Sequence, residues 1–202
     1  MKIIITRIGF YILAIGSLFS CQNKNDMDSW LNDTEKLIPL DAKIVSQWLE
    51  ENNLTKKQFK ISNNDYHSSN NSILIKNKQI YSIAASGVST IKALKSLTKL
   101  VELNLRKIKL ENLMGCPSTL EKLELNGNLS SLKGIESCNK LNYLNLFHIN
   151  INQLQPISNL INLKKLEIAF SAYSPDSLSF SLPELSHLTI RDSNVENIGQ
   201  LG

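Results

Sequence analysis

Among the residues able to do chemistry, Cys21 has the most suggestive surroundings. Lys2 and Arg7 precede it, followed by an apolar run of 12 residues from Ile8 to Phe19 and then Ser20. A charged start, a hydrophobic stretch of about 7–15 residues and a small residue before a cut is the layout of a secretory signal peptide. The run is too short for a bilayer core, which requires about 20 apolar residues. The other reactive side chains are scattered. His67, His148 and His187 make no metal-ligand spacing. Cys116 and Cys138 are expected on turns away from the histidines, so no Cys–His nucleophile pair is expected. Gly127 and Gly134 do not make a phosphate loop. The expectation is no catalytic residue, no metal and no cofactor: the chain is not read as an enzyme.

Leu18-Phe19-Ser20-Cys21 resembles a bacterial lipobox, Leu-x-small-Cys, in which lipoprotein signal peptidase cuts before the Cys. The resemblance implies a signal peptide over residues 1–20 and a mature chain that begins at Cys21, with lipid on its thiol and its amine. Each buried lipid methylene contributes about 0.8 kcal/mol, and two or more acyl chains hold stably where one holds weakly. Such a protein is tethered to a membrane whose core it never crosses. Gln22 to Ser29 are polar, so residues 21–38 are expected to be a flexible tether. No Asp follows Cys21, which in a diderm bacterium resembles lipoproteins released to the outer membrane. The expected location is the bacterial cell envelope, at the outer membrane or cell surface if the host is diderm. The competing reading is an ordinary secretory signal followed by an unrelated Cys.

Composition narrows the partners. An apolar fraction of 42% suffices for a real core, and the length remaining after the signal fits one domain. The formal charge of +4 overstates the mature chain, because losing Lys2 and Arg7 leaves 20 Lys and Arg against 18 Asp and Glu. With no basic stripe, nucleic acid is not an expected partner. Cys116 and Cys138 are too few for a disulfide framework. They lie 22 residues apart, but Cys116 falls 13 after Leu103 whereas Cys138 falls 15 after Leu123. A bridge requires Cα atoms within about 7 Å, so buried free thiols are the expectation.

The elements that must position these residues repeat. Leu100-x-x-Leu103-x-Leu105-x-x-Ile108-x-Leu110-x-x-Leu113 recurs from Leu141 to Leu160. The expected strand pairs are Tyr81/Ile83, Leu103/Leu105, Leu123/Leu125, Leu144/Leu146, Leu166/Ile168 and Leu188/Ile190, spaced by 22, 20, 21, 22 and 22 residues. Two inward residues separated by one outward residue is strand alternation. Apolar residues at every third position then return the chain through irregular or 3₁₀ turns. No coil buries its apolar face alone, so stability comes from neighbouring coils.

This pattern, from Asn77 to Gly202, is similar to the leucine-rich repeat family and to its internalin-like subclass. The resemblance implies an α/β-type solenoid with a parallel concave β-sheet and an irregular, 3₁₀-rich convex side. The family usually places Asn five residues after the first strand Leu. Here those positions read Ser86, Ile108, Asn128, Ile149, Ser171 and Ser193, so only Asn128 keeps it. Leu129 and Leu132 stand one place early, and the polar stretch from Ser171 to Ser181 is expected to bulge outward. Residues 39–76 read as a small α+β N-terminal cap. Asp41 is the expected helix N-cap, Ile44, Val45, Trp48 and Leu49 share one face, and Phe59/Ile61 and Ile73/Ile75 form short strands. Residues 77–202 make about six coils, the last with no polar closing element. A bare last coil offers a route to self-association, or marks a fragment of a longer protein.

Leucine-rich repeat proteins bind with the concave sheet. The outward residues here form three columns: Ile80, Glu102, Lys122, Tyr143, Lys165, His187; Ser82, Asn104, Glu124, Asn145, Glu167, Thr189; and Ala84, Arg106, Asn126, Phe147, Ala169, Arg191. Aromatic residues inside a polar rim resemble an interface hot spot. The expected ligand-binding residues are Tyr143, Asn145, Phe147, Asn104, Glu124, Glu167, Arg106 and His148, and the expected ligand is a protein or a glycan. The alternative is an envelope-assembly scaffold or a fragment of a longer adhesin-like repeat protein.

Overall fold

The computed structural model describes residues 27, 31–33, 37–62, 71–151, 153–170, 177–178, 181–191 and 197–198. The lipobox-like segment and Cys21 lie outside the described residues.

Eight strands form one sheet in the order β1 (Lys60–Ser62), β2 (Ser72–Lys76), β3 (Gln79–Ser86), β4 (Glu102–Leu110), β5 (Lys122–Leu129), β6 (Tyr143–Ile149), β7 (Lys165–Phe170) and β9 (His187–Arg191). Neighbours are parallel except for the antiparallel β2–β3 pair. The Leu-x-Leu pairs set this register. Leu103, Leu123, Leu144 and Leu166 lie side by side, as do Leu105, Leu125, Leu146 and Ile168, and all eight are buried. Burying each such side chain contributes about 1.5–3 kcal/mol. The convex return runs through 3₁₀ turns at Lys92–Ser96, Ile135–Ser137 and Gln155–Asn159, with Leu94, Ile135 and Ile157 turned inward. The result is a leucine-rich-repeat-like solenoid.

The first coil departs from the expected pairing. Ile83 and Ala85, not Tyr81 and Ile83, align with Leu103 and Leu105. The β2–β3 register slips between Leu74 and Ile75, which leaves Tyr81 as an unmatched residue. The spacings are therefore 20, 20, 21, 22 and 22 residues. The concave columns accordingly begin at Ser82, Ala84 and Ser86, not at Ile80, Ser82 and Ala84.

Two bulges explain the phase slip seen in the repeats. Lys107 and His148 are extra residues in β4 and β6, and both adopt positive φ, 49° and 54°. A bulge inserts one residue and re-aims the strand. Strand β5 lacks the extra residue, so Gly127 pairs with Ile108 and Leu129 with Leu110. Asn128 consequently points outward and is exposed, so it takes no ladder position. Buried Ile108, Leu129 and Ile149 occupy this edge instead.

The cap is more extensive than expected. Helix α1 (Pro39–Glu51) starts with Pro at its first turn, a position where no backbone N–H is required. Asp41 is therefore not the N-cap. It lies within the first turn, is buried, and accepts the Ile80 N–H at 2.9 Å, which ties α1 to β3. Burial pushes its carboxyl above the ordinary range, and the Ile80 hydrogen bond pulls part of that back. Ile44, Val45, Trp48 and Leu49 are buried as expected. At the helix end Asn52 uses its whole amide. Its Nδ2 donates to the Trp48 and Thr90 carbonyls, and its Oδ1 accepts the Ser89 and Thr90 N–H groups. Met27 and Leu37 also pack into the core, so the stretch read as a tether contributes to the cap.

Cys116 and Cys138 form a disulfide, which corrects the expectation of free thiols. Their Cα atoms are 6.5 Å apart. Counted from the convex turns rather than from the strands, the two are equivalent: the Cys116 N–H bonds Leu113 and the Cys138 N–H bonds Ile135, each three residues back. Most of the stretch from Ser171 to Ser181 lies outside the described residues. Within it β8 (Ser177–Leu178) pairs in parallel with β10 (Asn197–Ile198). Leu188 and Ile190 are half-buried against the core, and Val195 of the expected bare coil lies outside the described residues.

The close approach of β4 and β5 generates a test. A Cβ on Gly127 would lie 2.7 Å from the Ile108 nitrogen and 2.9 Å from its oxygen, at φ +129°. Gly87 has φ +79° but nothing within 4 Å. Gly87→Ala should cost about 1–2 kcal/mol from left-handed strain alone. Gly127→Ala should cost clearly more, because backbone must also move. Urea unfolding of the two variants checks this, and equal losses would contradict the β4–β5 register.

Candidate functional site

On the concave face the second and first columns meet around Tyr143. Strand alternation puts residues i and i+2 on the same face, so Lys122 and Glu124 on β5, and Lys165 and Glu167 on β7, form same-strand ion pairs of 2.7 Å. Tyr143 on β6 lies between these pairs. The Lys122 and Lys165 ammonium nitrogens stand 5.3 and 5.0 Å from its ring centroid, one from each side. At such distances the ring quadrupole attracts a cation. The Tyr143 hydroxyl donates to Glu167 Oε2 at 3.3 Å and accepts from Asn145 Nδ2 at 3.3 Å. Asn104 Nδ2 on β4 donates to Glu124 Oε2 at 3.0 Å. Seven side chains on four strands therefore form one chain of contacts.

The electrostatics follow from this packing. Partial burial raises the Tyr143 phenol above its ordinary range, and the Glu124 and Glu167 carboxylates add to that rise. The Lys165 hydrogen bond holds Glu167 below its ordinary value of 4.5. Lys165 is raised by the same bond. At Lys122 burial acts downward, but the Glu124 hydrogen bond and nearby carboxylates outweigh it. Because the folded-state value of Glu167 is depressed, its contribution to stability is present above pH 4.5. It is lost as the pH falls through that depressed value. The two ion pairs cancel in charge, so the surface offers hydrogen-bonding groups and a ring rather than a net field.

The expected site residues thus separate into three places. Asn104, Glu124, Tyr143, Asn145 and Glu167 come together in the network just described. Phe147 and His148 lie at the edge where β6 ends, with ring centroids 4.1 Å apart and planes at 63°. His148 is exposed on its bulge, and its Nδ1 is 3.3 Å from Asn126 Oδ1. Arg106 belongs to neither group. It lines a cleft between the third column and the cap. Lys122 and Lys165 were not among the expected residues. Their signal was present in the sequence as two Lys-Leu-Glu triplets, Lys122–Glu124 and Lys165–Glu167, flanking Tyr143 on adjacent strands. Among the described residues no three His, Cys, Asp or Glu side chains converge to hold a metal ion.

The network makes the Tyr143 titration diagnostic. In ¹³C-Cζ NMR, Tyr143 should ionise above the ordinary tyrosine value of about 10. Glu124→Gln with Glu167→Gln should lower that midpoint, since the two carboxylates add to the rise. An unchanged midpoint would mean that the carboxylates do not face the phenol.

Comparison with known proteins adds a likeness of shape. No family model matches the chain, and no curated protein sequence matches it. Among solved structures the chain is similar to the leucine-rich repeat ectodomain of the receptor kinase SOBIR1 from Arabidopsis thaliana. Sequence identity is 16% and the TM-score 0.45, over 81% of this chain and 96% of that one.

Proposed function

We propose that this chain is an exported bacterial lipoprotein, anchored through Cys21, whose concave sheet binds a polar protein or glycan ligand without catalysis. The observation that carries the binding reading is the Tyr143 network, an aromatic ring held between paired charges and amides across β4 to β7. Side chains already held by one another lose little freedom on binding, which favours affinity. Phe147 extends the apolar contact toward the sheet edge, and His148 and Asn126 border it with polar groups. Charge cancellation within each Lys–Glu pair favours a ligand with hydroxyl and amide groups over a highly charged polymer. The anchoring half of the proposal rests on Lys2, Arg7, the apolar run and the Leu-x-Ser-Cys ending.

Both halves are testable separately. Cys21→Ser should abolish fatty-acid labelling and release the protein from the membrane fraction, and unchanged labelling would remove the anchor. For binding, envelope extract is passed over the immobilised chain and the retained partner identified. Tyr143→Ala with Phe147→Ala should then weaken that partner tenfold or more. Each tenfold corresponds to about 1.4 kcal/mol, a loss within reach of one aromatic anchor. Lys133→Ala with Glu136→Ala on the convex side should change little. Loss on the convex change alone would place binding elsewhere.

A further inference from the structure

Arg106 stands out on the concave face because the Tyr143 network does not use it. Its Nε is buried and, among the described residues, has no hydrogen-bond partner. Buried guanidinium donors are otherwise paired, because a desolvated N–H without an acceptor is costly. Arg106 lines a cleft of about 550 Å³ where the cap meets the first coils. Such a volume accommodates a small polar ligand. Lys57, Lys60 and Lys107 line the same cleft, with Gln58, Asn71 and Ser86. Among the described residues, no acidic side chain lines the cleft.

The three lysines come from separate elements. Lys57 sits in the 3₁₀ turn Lys56–Gln58, Lys60 opens β1, and Lys107 is the β4 bulge residue at φ 49°. Strand β1 is held beside the cleft by its parallel pairing with β2 and by the Lys60 N–H bond to Asn71. The fold thus gathers four cations around one recess, where low-dielectric walls concentrate their field. A planar guanidinium with five donors matches the oxygens of a tetrahedral anion.

We propose that this cleft binds a tetrahedral oxyanion, a phosphate or sulfate group, with Arg106 as its central donor and Lys60 and Lys107 as flanking charges. Asn71 and Ser86 contact the polar group that carries the anion. The site is separate from the Tyr143 surface, and the two stand or fall independently.

The test follows the Arg106 Nε–Hε NMR signal of the full chain in nonionic detergent. The probes are inorganic phosphate, inorganic sulfate, glucose 6-phosphate and neutral glucose. The expected result is a saturable shift with the anions and none with glucose; tighter binding of glucose 6-phosphate than of inorganic phosphate identifies a sugar-borne anion as the preferred source. Because Lys60 and Lys107 are exposed, Lys60→Gln with Lys107→Gln should keep the fold and weaken binding about tenfold. Arg106→Gln, followed by calorimetry, should weaken it at least as much. No saturable shift with any anion, an equal response to glucose, or unaltered affinity in the Lys60/Lys107 variant would overturn the proposal.

Discussion

Each coil of this protein carries more apolar surface than it can cover, and only the next coil can cover it. That constraint governs the remainder of the structure. Each strand from β4 to β7 is six to nine residues long and has at least two inward side chains, and its convex return adds a few more. Neither face is buried until a second coil lies against it at the strand spacing of about 4.8 Å. Because the contact is repeated, a small mismatch in any coil would displace every later one. The chain absorbs its mismatches locally, through the Lys107 and His148 bulges and the glycine at position 127. The leucine rows therefore stay aligned from β4 to β7 although the coil length varies from 20 to 22 residues.

Stacking also dictates what the other face presents. Once Leu123, Leu144 and Leu166 are in line, residues 122, 143 and 165 must be in line as well, and so must 124, 145 and 167. Neighbouring strands then bring a tyrosine between two lysines and two glutamates without any further device. The resulting surface is polar because the residues that form it alternate with the buried leucines. The first coil is different. There Asp41 and Asn52 fasten the cap helix to β3 and to the loop at Ser89–Thr90. The stack is thereby closed at this end by the apolar face of the cap, including Val45, Trp48, Leu49, Ile61 and Ile73, held in place by these hydrogen bonds to backbone. The same junction leaves the Arg106 cleft between cap and coil.

Much of this was legible in the residue pattern, and the exceptions have identifiable physical causes. Leu-x-Leu at a period of 20 to 22 predicts both the parallel sheet and its outward columns, since inward and outward residues must alternate. The first strand escaped because Ala85 is small enough to be overlooked as an inward residue and because a bulge leaves Tyr81 unmatched. The disulfide escaped because its two cysteines were counted from the strands. The return from Leu129 to Cys138 is three residues longer than that from Leu110 to Cys116, while β5 omits one bulge residue, so the two cysteines differ by two when counted from the strand leucines. Asp41 has the composition of a cap, but a capping residue and a buried acceptor for a distant N–H look alike in sequence. The partner Ile80 is 39 residues away. Asn104, Glu124, Tyr143, Asn145 and Glu167 were placed together from alternation alone. Arg106 separated from them because the cap, whose own pairing carries no periodic signal, faces it.

The central claim is that inward leucines of adjacent coils bury one another. Leu144 is the most direct probe, since it lies between Leu123 and Leu166 with no exposed surface. Urea unfolding of Leu144→Ala against the unaltered chain should show a loss of about 2–5 kcal/mol, the range for large-to-small changes in a packed core. A loss below about 1 kcal/mol, the scale of a surface substitution, would contradict the stacked register and the concave surface built on it.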